Sequence, residues 1–175
     1  MPTFRVIDIV EGTTVDGPGL RTSIYFAGCT HHCEGCHNPQ SWPANAGKDM
    51  DEDALMEVIR YNGFDVTFTG GDPFFQASAV AHLAARIKQE LHLGIWCYTG
   101  YRWEDIIANP NFQPLLQHID VLVDGPFILA LRDTSLRFRG SSNQRIIDVK
   151  RKIINPNYEL RNPKDHPDAF VIRNS

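Results

Sequence analysis

Three of the four cysteines fall within eight residues, Cys29-Thr-His-His-Cys33-Glu-Gly-Cys36, and the fourth, Cys97, stands alone. Disulfides between neighbours at that spacing would close small strained rings, and a chain with a core of its own needs no such staples. Clustered thiols in this setting point to metal. Structural zinc takes four ligands, commonly as two short pairs. Here there is one group of three, with His31, His32 and His37 close enough to complete a Cys3His site. An iron–sulfur cube held by three thiolates is the other reading, and it leaves one iron open to a substrate or cofactor, which suits catalysis. Spacing favours the cube and leaves both standing. Cys97 lies in Gly94-Ile-Trp-Cys-Tyr-Thr-Gly100, an apolar run typical of a buried strand, and reads as a small core side chain.

The elements that must position these thiols follow from pattern. At 175 residues and 42% hydrophobic, the chain is long enough for one domain with a proper core. A formal net charge of −4 gives no electrostatic footprint for nucleic acid or an anionic membrane. No apolar run approaches the ~18–20 residues that span a bilayer. Arg5, Asp8 and Glu11 interrupt any signal-peptide core, so a soluble cytoplasmic protein is expected. Strands are predicted over 23–27, 65–69, 94–98 and 119–123, with one more at 144–149, and helices over 51–60, 76–91, 103–108 and 112–118. Strands alternating with helices predict an α/β fold of parallel βα units. Eight units need ~250 residues, so the expectation is an open, partial TIM-type barrel in residues 1–150, with a polar extension at 151–175 whose 169–172 stretch adds an edge strand. Ligands gather at the carboxyl ends of parallel strands. The cysteine loop, Gly70-Gly71-Asp72-Pro73, Tyr98-Thr99-Gly100 and Asp124-Gly125-Pro126 all follow predicted strands and should share one rim.

The run Cys29-x3-Cys33-x2-Cys36 after the first predicted strand resembles the cluster motif of the radical S-adenosylmethionine enzymes. Val15-Asp-Gly-Pro-Gly-Leu-Arg21 and Cys36-His-Asn-Pro39 with Trp42 are similar to segments of glycyl-radical-enzyme activases. Ile119–Phe127, Arg139–Arg145 and Trp96–Tyr101 are similar to the activating proteins of anaerobic ribonucleoside-triphosphate reductase. The likeness spans most of residues 5–148. It implies that Cys29, Cys33 and Cys36 bind three irons of a [4Fe–4S] cluster whose fourth iron chelates S-adenosylmethionine. It implies cofactor contacts from Gly70, Gly71 and Asp72, the last standing where the family often has Glu, and from Asp124, Ser141 and Asn143. Arg139 and Ser142 are further candidates for ribose or the methionyl carboxylate. Where some relatives carry Lys this chain has Pro126, and Gly35 stands where many place an aromatic residue.

The activity so implied is reductive cleavage of S-adenosylmethionine with an electron from an external one-electron reductant. The resulting 5′-deoxyadenosyl radical takes a hydrogen atom from one glycine of the partner reductase. Three other readings stay open on sequence: an activase for a partner of the pyruvate formate-lyase type, a radical enzyme acting on a small molecule, and a zinc-stabilised interaction module.

Overall fold

The computed structural model describes residues 2–158. Seven strands form one sheet: β1 (Thr3–Thr13), β2 (Arg21–Phe26), β3 (Lys48–Asp51), β4 (Asp65–Gly70), β5 (Ile95–Tyr98), β6 (Val121–Asp124) and β7 (Arg145–Asp148), in the order β3-β1-β2-β4-β5-β6-β7. The inner run β2-β4-β5-β6 is parallel. Both flanks are antiparallel, β1 against β2 and β3 on one side and β7 against β6 on the other. An all-parallel sheet was the expectation, and the flanks correct it. β1 escapes the pattern reading because of its apolar residues only Phe4 and Val6 are buried, while charged residues interrupt the rest. β3, Lys-Asp-Met-Asp, carries no strand propensity and forms because the Thr3↔Asp51 to Val6↔Lys48 register pairs it with β1.

Helices α1 (Glu52–Asn62), α2 (Ala77–Arg86), α3 (Trp103–Ala108), α4 (Gln113–Leu116) and α5 (Val149–Ile154) complete the chain. α1 starts where the Asp51 carboxylate accepts from Ala54 N at 2.7 Å and stops at Gly63 in the left-handed region. The single helix predicted over 76–91 is α2 followed by a π turn at Ile87–Leu91. α5 crosses the expected start of the polar extension at residue 151, and the strand expected at 169–172 lies outside the described residues. Among the described residues no helix is long and apolar enough to cross a membrane.

Side chains alternate across each strand, and the two faces differ in kind. Ile24, Phe26, Val66, Phe68, Cys97 and Leu122 pack with Leu55, Ile59, Val80 and Leu83 of the helices in the main core. The opposite face carries Arg21, Thr67, Trp96 and Val121; Arg21 donates to Thr67 Oγ1 at 2.8 Å and lies over the Trp96 ring. Carboxyl ends of the four parallel strands share one rim, as expected. Gly71 N donates to Phe26 O, Asp72 N to Gly28 O and Gly125 N to Tyr101 O, each at 2.8 Å.

At that rim the antiparallel β7 is locked by Arg145, which donates to the buried Asp124 carboxylate and to both oxygens of Glu104 on α3. Removing the guanidinium leaves Asp124 buried without its counter-charge, so Arg145→Met should destabilise the fold by about 3 kcal/mol in a denaturant titration. The hydrogen bonds from Arg145 hold the Glu104 carboxyl down at about 2 from its ordinary 4.5. A depressed carboxyl contributes its full stability above its ordinary value and loses it as pH falls toward 2. Denaturation midpoints of Glu104→Gln should therefore fall less steeply than the parent's across that acid window.

Candidate functional site

The cysteine loop leaves β2 at Phe26 and closes on itself at Trp42. Gly28 N donates to Ser41 O at 2.7 Å and Cys29 N to Trp42 O at 3.1 Å, so both ends of the loop are tied together. Cys29, Cys33 and Cys36 are free thiols, each half-buried. Cys36 N donates to Cys33 O at 3.1 Å, and Asn38 N lies 3.4 Å from Cys36 Sγ as a donor to sulfur. Burial pushes the Cys29 and Cys33 thiols up from their ordinary value. His32 has a left-handed backbone (φ 47°) and stacks on Trp42 with ring centroids 4.5 Å apart. That backbone costs on the order of 1 kcal/mol for a residue with a β-carbon and persists only where its surroundings hold it.

Gly70 and Gly71 press against this loop's root. Gly70 has φ +103°, and a Cβ on Gly71 would be driven into the Gly28 carbonyl oxygen. The close approach these glycines permit is to the chain itself, between the ends of β4 and β2. Asp72 is 1% exposed. Its carboxylate accepts from Phe74 N at 3.0 Å, Thr99 Oγ1 at 2.9 Å, Gly100 N at 3.0 Å and His31 Nε2 at 2.8 Å. The bond to Asp72 raises the His31 pKa against the effect of burial.

An open cleft of about 420 Å³ adjoins the loop, bounded by Cys36, Asn38, Thr69, Tyr98, Arg139 and Gln144. Burial pushes the Tyr98 hydroxyl well above the usual phenol range and keeps it neutral. Arg139 donates from one terminal nitrogen to Gln144 O at 2.9 Å, while its Nε is buried with no hydrogen-bond partner. Asp16 and Val15 of the Asp-Gly-Pro-Gly segment also border the cleft, Asp16 accepting from Tyr25 Oη at 2.5 Å.

Of the residues expected to contact the cofactor, only Arg139 borders this cleft; Gly70, Gly71 and Asp72 do not. Asp124 borders a neighbouring cavity of about 400 Å³ instead, its carboxylate held by Arg145 and by Trp103 N at 2.8 Å. Ser141 is fully buried and its Oγ accepts from Ile128 N. Asn143 borders the same second cavity and donates to Pro126 O at 2.7 Å. Thr69 and Gln144 were not singled out from sequence, and Tyr98 was placed at the rim without a role. The signal was present in the polar alternation of 65–69 and 94–98, which puts Thr67, Thr69, Trp96 and Tyr98 on the face away from the helices.

Comparison with known proteins gives a family. Residues 15–147 match a family model described as a 4Fe-4S single cluster domain. An anaerobic ribonucleoside-triphosphate reductase-activating protein of Vibrio cholerae is 38% identical over 141 residues, 75% of this chain and 90% of that one. The Escherichia coli K12 protein of the same name is 35% identical over 139 residues, covering 74% and 89%. The chain belongs to this activating-protein family. Bacteriophage T4 has a further relative, 33% identical over 139 residues, and the crystal structure of QueE from Escherichia coli is a looser likeness (16% identity, TM-score 0.47, 56% of this chain and 52% of that one).

As a member of the reductase-activating family, the chain is an activating enzyme of the 4Fe–4S type. Its residues fit such a group. Three half-buried thiols share one loop beside an open cleft, and the fourth cysteine is remote in environment, Cys97 being wholly buried in the helix-side core. Among the described residues no three His, Cys, Asp or Glu side chains converge on a point that one ion could fill. Of the three histidines near the thiols, His31 is bonded through Nε2 to Asp72, while the rings of His32 and His37 pack on Trp42 and Phe127.

Two substitutions test this anatomy. Gly71→Ala must displace the loop's root, costing roughly 2 kcal/mol of stability and lowering iron uptake on anaerobic reconstitution. Cys97→Ala should retain full iron content and lose only about 1 kcal/mol, the cost of a small buried deletion.

Proposed function

We propose that this protein activates an anaerobic ribonucleoside-triphosphate reductase by installing a radical on one of its glycines. Cys29, Cys33 and Cys36 would hold three irons of a [4Fe–4S] cluster, and S-adenosylmethionine would occupy the adjoining cleft. Together, when bound, these groups supply a 5′-deoxyadenosyl radical once an external donor has delivered one electron. The observation that carries the reading is the placement of three free thiols on the rim loop, directly beside a cleft containing a buried, unpartnered cationic donor.

The chain's own residues then have definite tasks. Arg139 offers its vacant Nε–H to an anionic group, and in a partly desolvated cleft a charge-assisted bond of that kind is about twice as strong as a neutral one. Tyr98 and Thr69 present neutral hydroxyl groups from the strands, suited to ribose or amino groups. Asn38 N–H donates to the Cys36 sulfur, which would temper the negative charge a thiolate carries there. The position of the cysteine loop at the rim of an open sheet, with β3 and β7 outermost among the described strands, supports the partial-barrel reading. An open flank of that kind can admit a loop of a large protein. A reducing cytoplasm without oxygen is the compartment this chemistry requires.

Anaerobic reconstitution with iron and sulfide, followed by electron paramagnetic resonance with and without S-adenosylmethionine, tests the site. The parent protein should give a reduced cluster signal that changes on cofactor addition. Each of Cys29→Ala, Cys33→Ala and Cys36→Ala should lose the signal and all cofactor cleavage. Arg139→Gln should keep the cluster and weaken cofactor binding about tenfold, the loss expected for one hydrogen bond to a charged group. Mixed with the reductase, the loaded protein should produce a glycyl doublet. A doublet only with a pyruvate formate-lyase-type partner would reassign the substrate, and a colourless product binding one metal ion would overturn the reading.

A further inference from the structure

His31 sits midway between two of the thiols, two residues from Cys29 and two from Cys33. Its side chain turns away from them. Nε2 donates to Asp72 at 2.8 Å, and the ring meets Tyr101 edge-on with centroids 4.5 Å apart. The ring also lies on Gly100, where an added Cβ would fall 2.5 Å from His31 Cδ2. His32 is turned to the other side, onto Trp42. The segment between Cys29 and Cys33 is thus held from both sides by side chains, in addition to backbone bonds at the loop's ends and from His31 and His32 to the Cys29 sulfur.

Asp72 has little left to offer a cofactor. A carboxylate has about four lone-pair sites, and donors from Phe74, Thr99, Gly100 and His31 take them. Thr99 cannot be turned outward without loss, because its hydroxyl oxygen also accepts from Tyr101 N at 3.1 Å. We propose that Asp72 is a positioning residue: through His31 it anchors the ligand loop to the ends of β4 and β5, so that Cys29 and Cys33 are in place before any iron arrives. The proposal rests on the reading of the three thiols as cluster ligands. Partners of this kind, one bond removed from the metal, orient ligands and slow metal loss.

The test uses the anaerobically reconstituted full-length protein, with the rate at which excess iron chelator bleaches the cluster's visible absorbance as the readout. His31→Ala should release iron about tenfold faster, the lower range for loss of such a partner. Gly100→Ala pushes the ring aside while keeping the backbone N–H that Gly100 gives to Asp72 and leaving every thiol in place, and should give the same acceleration. The double variant should be no faster than either single one, since both remove one contact. His31→Gln, which keeps an amide N–H donor, should recover part of the parent's rate. His31→Ala should lower apo-protein melting only as far as the loss of one hydrogen bond to Asp72, and Arg145→Met, destabilised away from the loop, should bleach at the parent rate, which separates positioning from general stability. Cofactor affinity of loaded His31→Ala, read from the resonance change, should be unaltered.

Bleaching of His31→Ala at the parent rate would overturn the clamp. So would rates of the two single changes that multiply in the double. Asp72→Asn losing cofactor affinity with an unchanged bleaching rate would make Asp72 a direct cofactor contact instead. A parent protein that takes up no cluster would overturn the reading beneath and the clamp with it, whereas a stable parent cluster isolates the clamp as the part at fault.

Discussion

One buried carboxylate organises the rim. Asp72 follows β4, yet it accepts hydrogen bonds from the cysteine loop, from the loop after β5 and from its own turn. Single backbone bonds, Asp72 N to Gly28 O and Gly125 N to Tyr101 O, join neighbouring loops in pairs, but the regular ladder stops where the strands stop. Something must replace the ladder if three such loops are to keep one geometry. A charged acceptor does this well, since a bond to an ionic group contributes about 1.5–3 kcal/mol against about 1 for a neutral pair. The carboxylate tolerates its burial because every lone pair is used.

The alternation of side chains explains why one strand can serve both stability and chemistry. On β5, Cys97 points into the helix-side core while Trp96 and Tyr98 point the other way, Tyr98 to the cleft. Burial raises the Cys97 thiol well above its ordinary value, which keeps it protonated and inert. The three loop cysteines are only half-buried, within reach of incoming metal. Four residues of one type are thus sorted into two roles by exposure alone.

What could be read from the sequence was whatever local chemistry restricts. Thiol spacing, the glycine pair and the short apolar strands each admit few alternatives, and the convergence of their loops follows from parallel topology. What could not be read was set by partners distant in sequence. Lys48–Asp51 becomes a strand only because β1 lies beside it. The resemblance implied a cofactor contact at Asp124, and nothing local shows that Arg145, 21 residues later, pairs with its carboxylate. The resemblance implied a cofactor contact at Asp72, and nothing in the sequence links it to His31, 41 residues earlier. Residue type marks a group as able to do chemistry; only the fold says whether its lone pairs are still available.

The far wall of the cleft is built on a different principle. Between β6 and β7 runs a connection of 20 residues, 125–144, with one three-residue turn at Leu129–Leu131 and a single bridge between Arg132 and Ser141. Connections beyond about 12–15 residues without regular structure are uncommon and usually functional. This one reaches back over the cysteine loop: Leu129 lies against Gly35, where a Cβ would fall 2.9 Å from its Cδ1, and Phe127 packs on His37. Gly35, which has no side chain to shield the neighbouring thiol, therefore makes room for a shield delivered from another segment. The same connection carries Arg139 and Gln144 to the cleft. One wall is fixed by strands and the Asp72 network, the other by a long loop resting on a glycine. A cleft made of one rigid and one irregular wall can keep the cysteine loop steady while its other side adjusts.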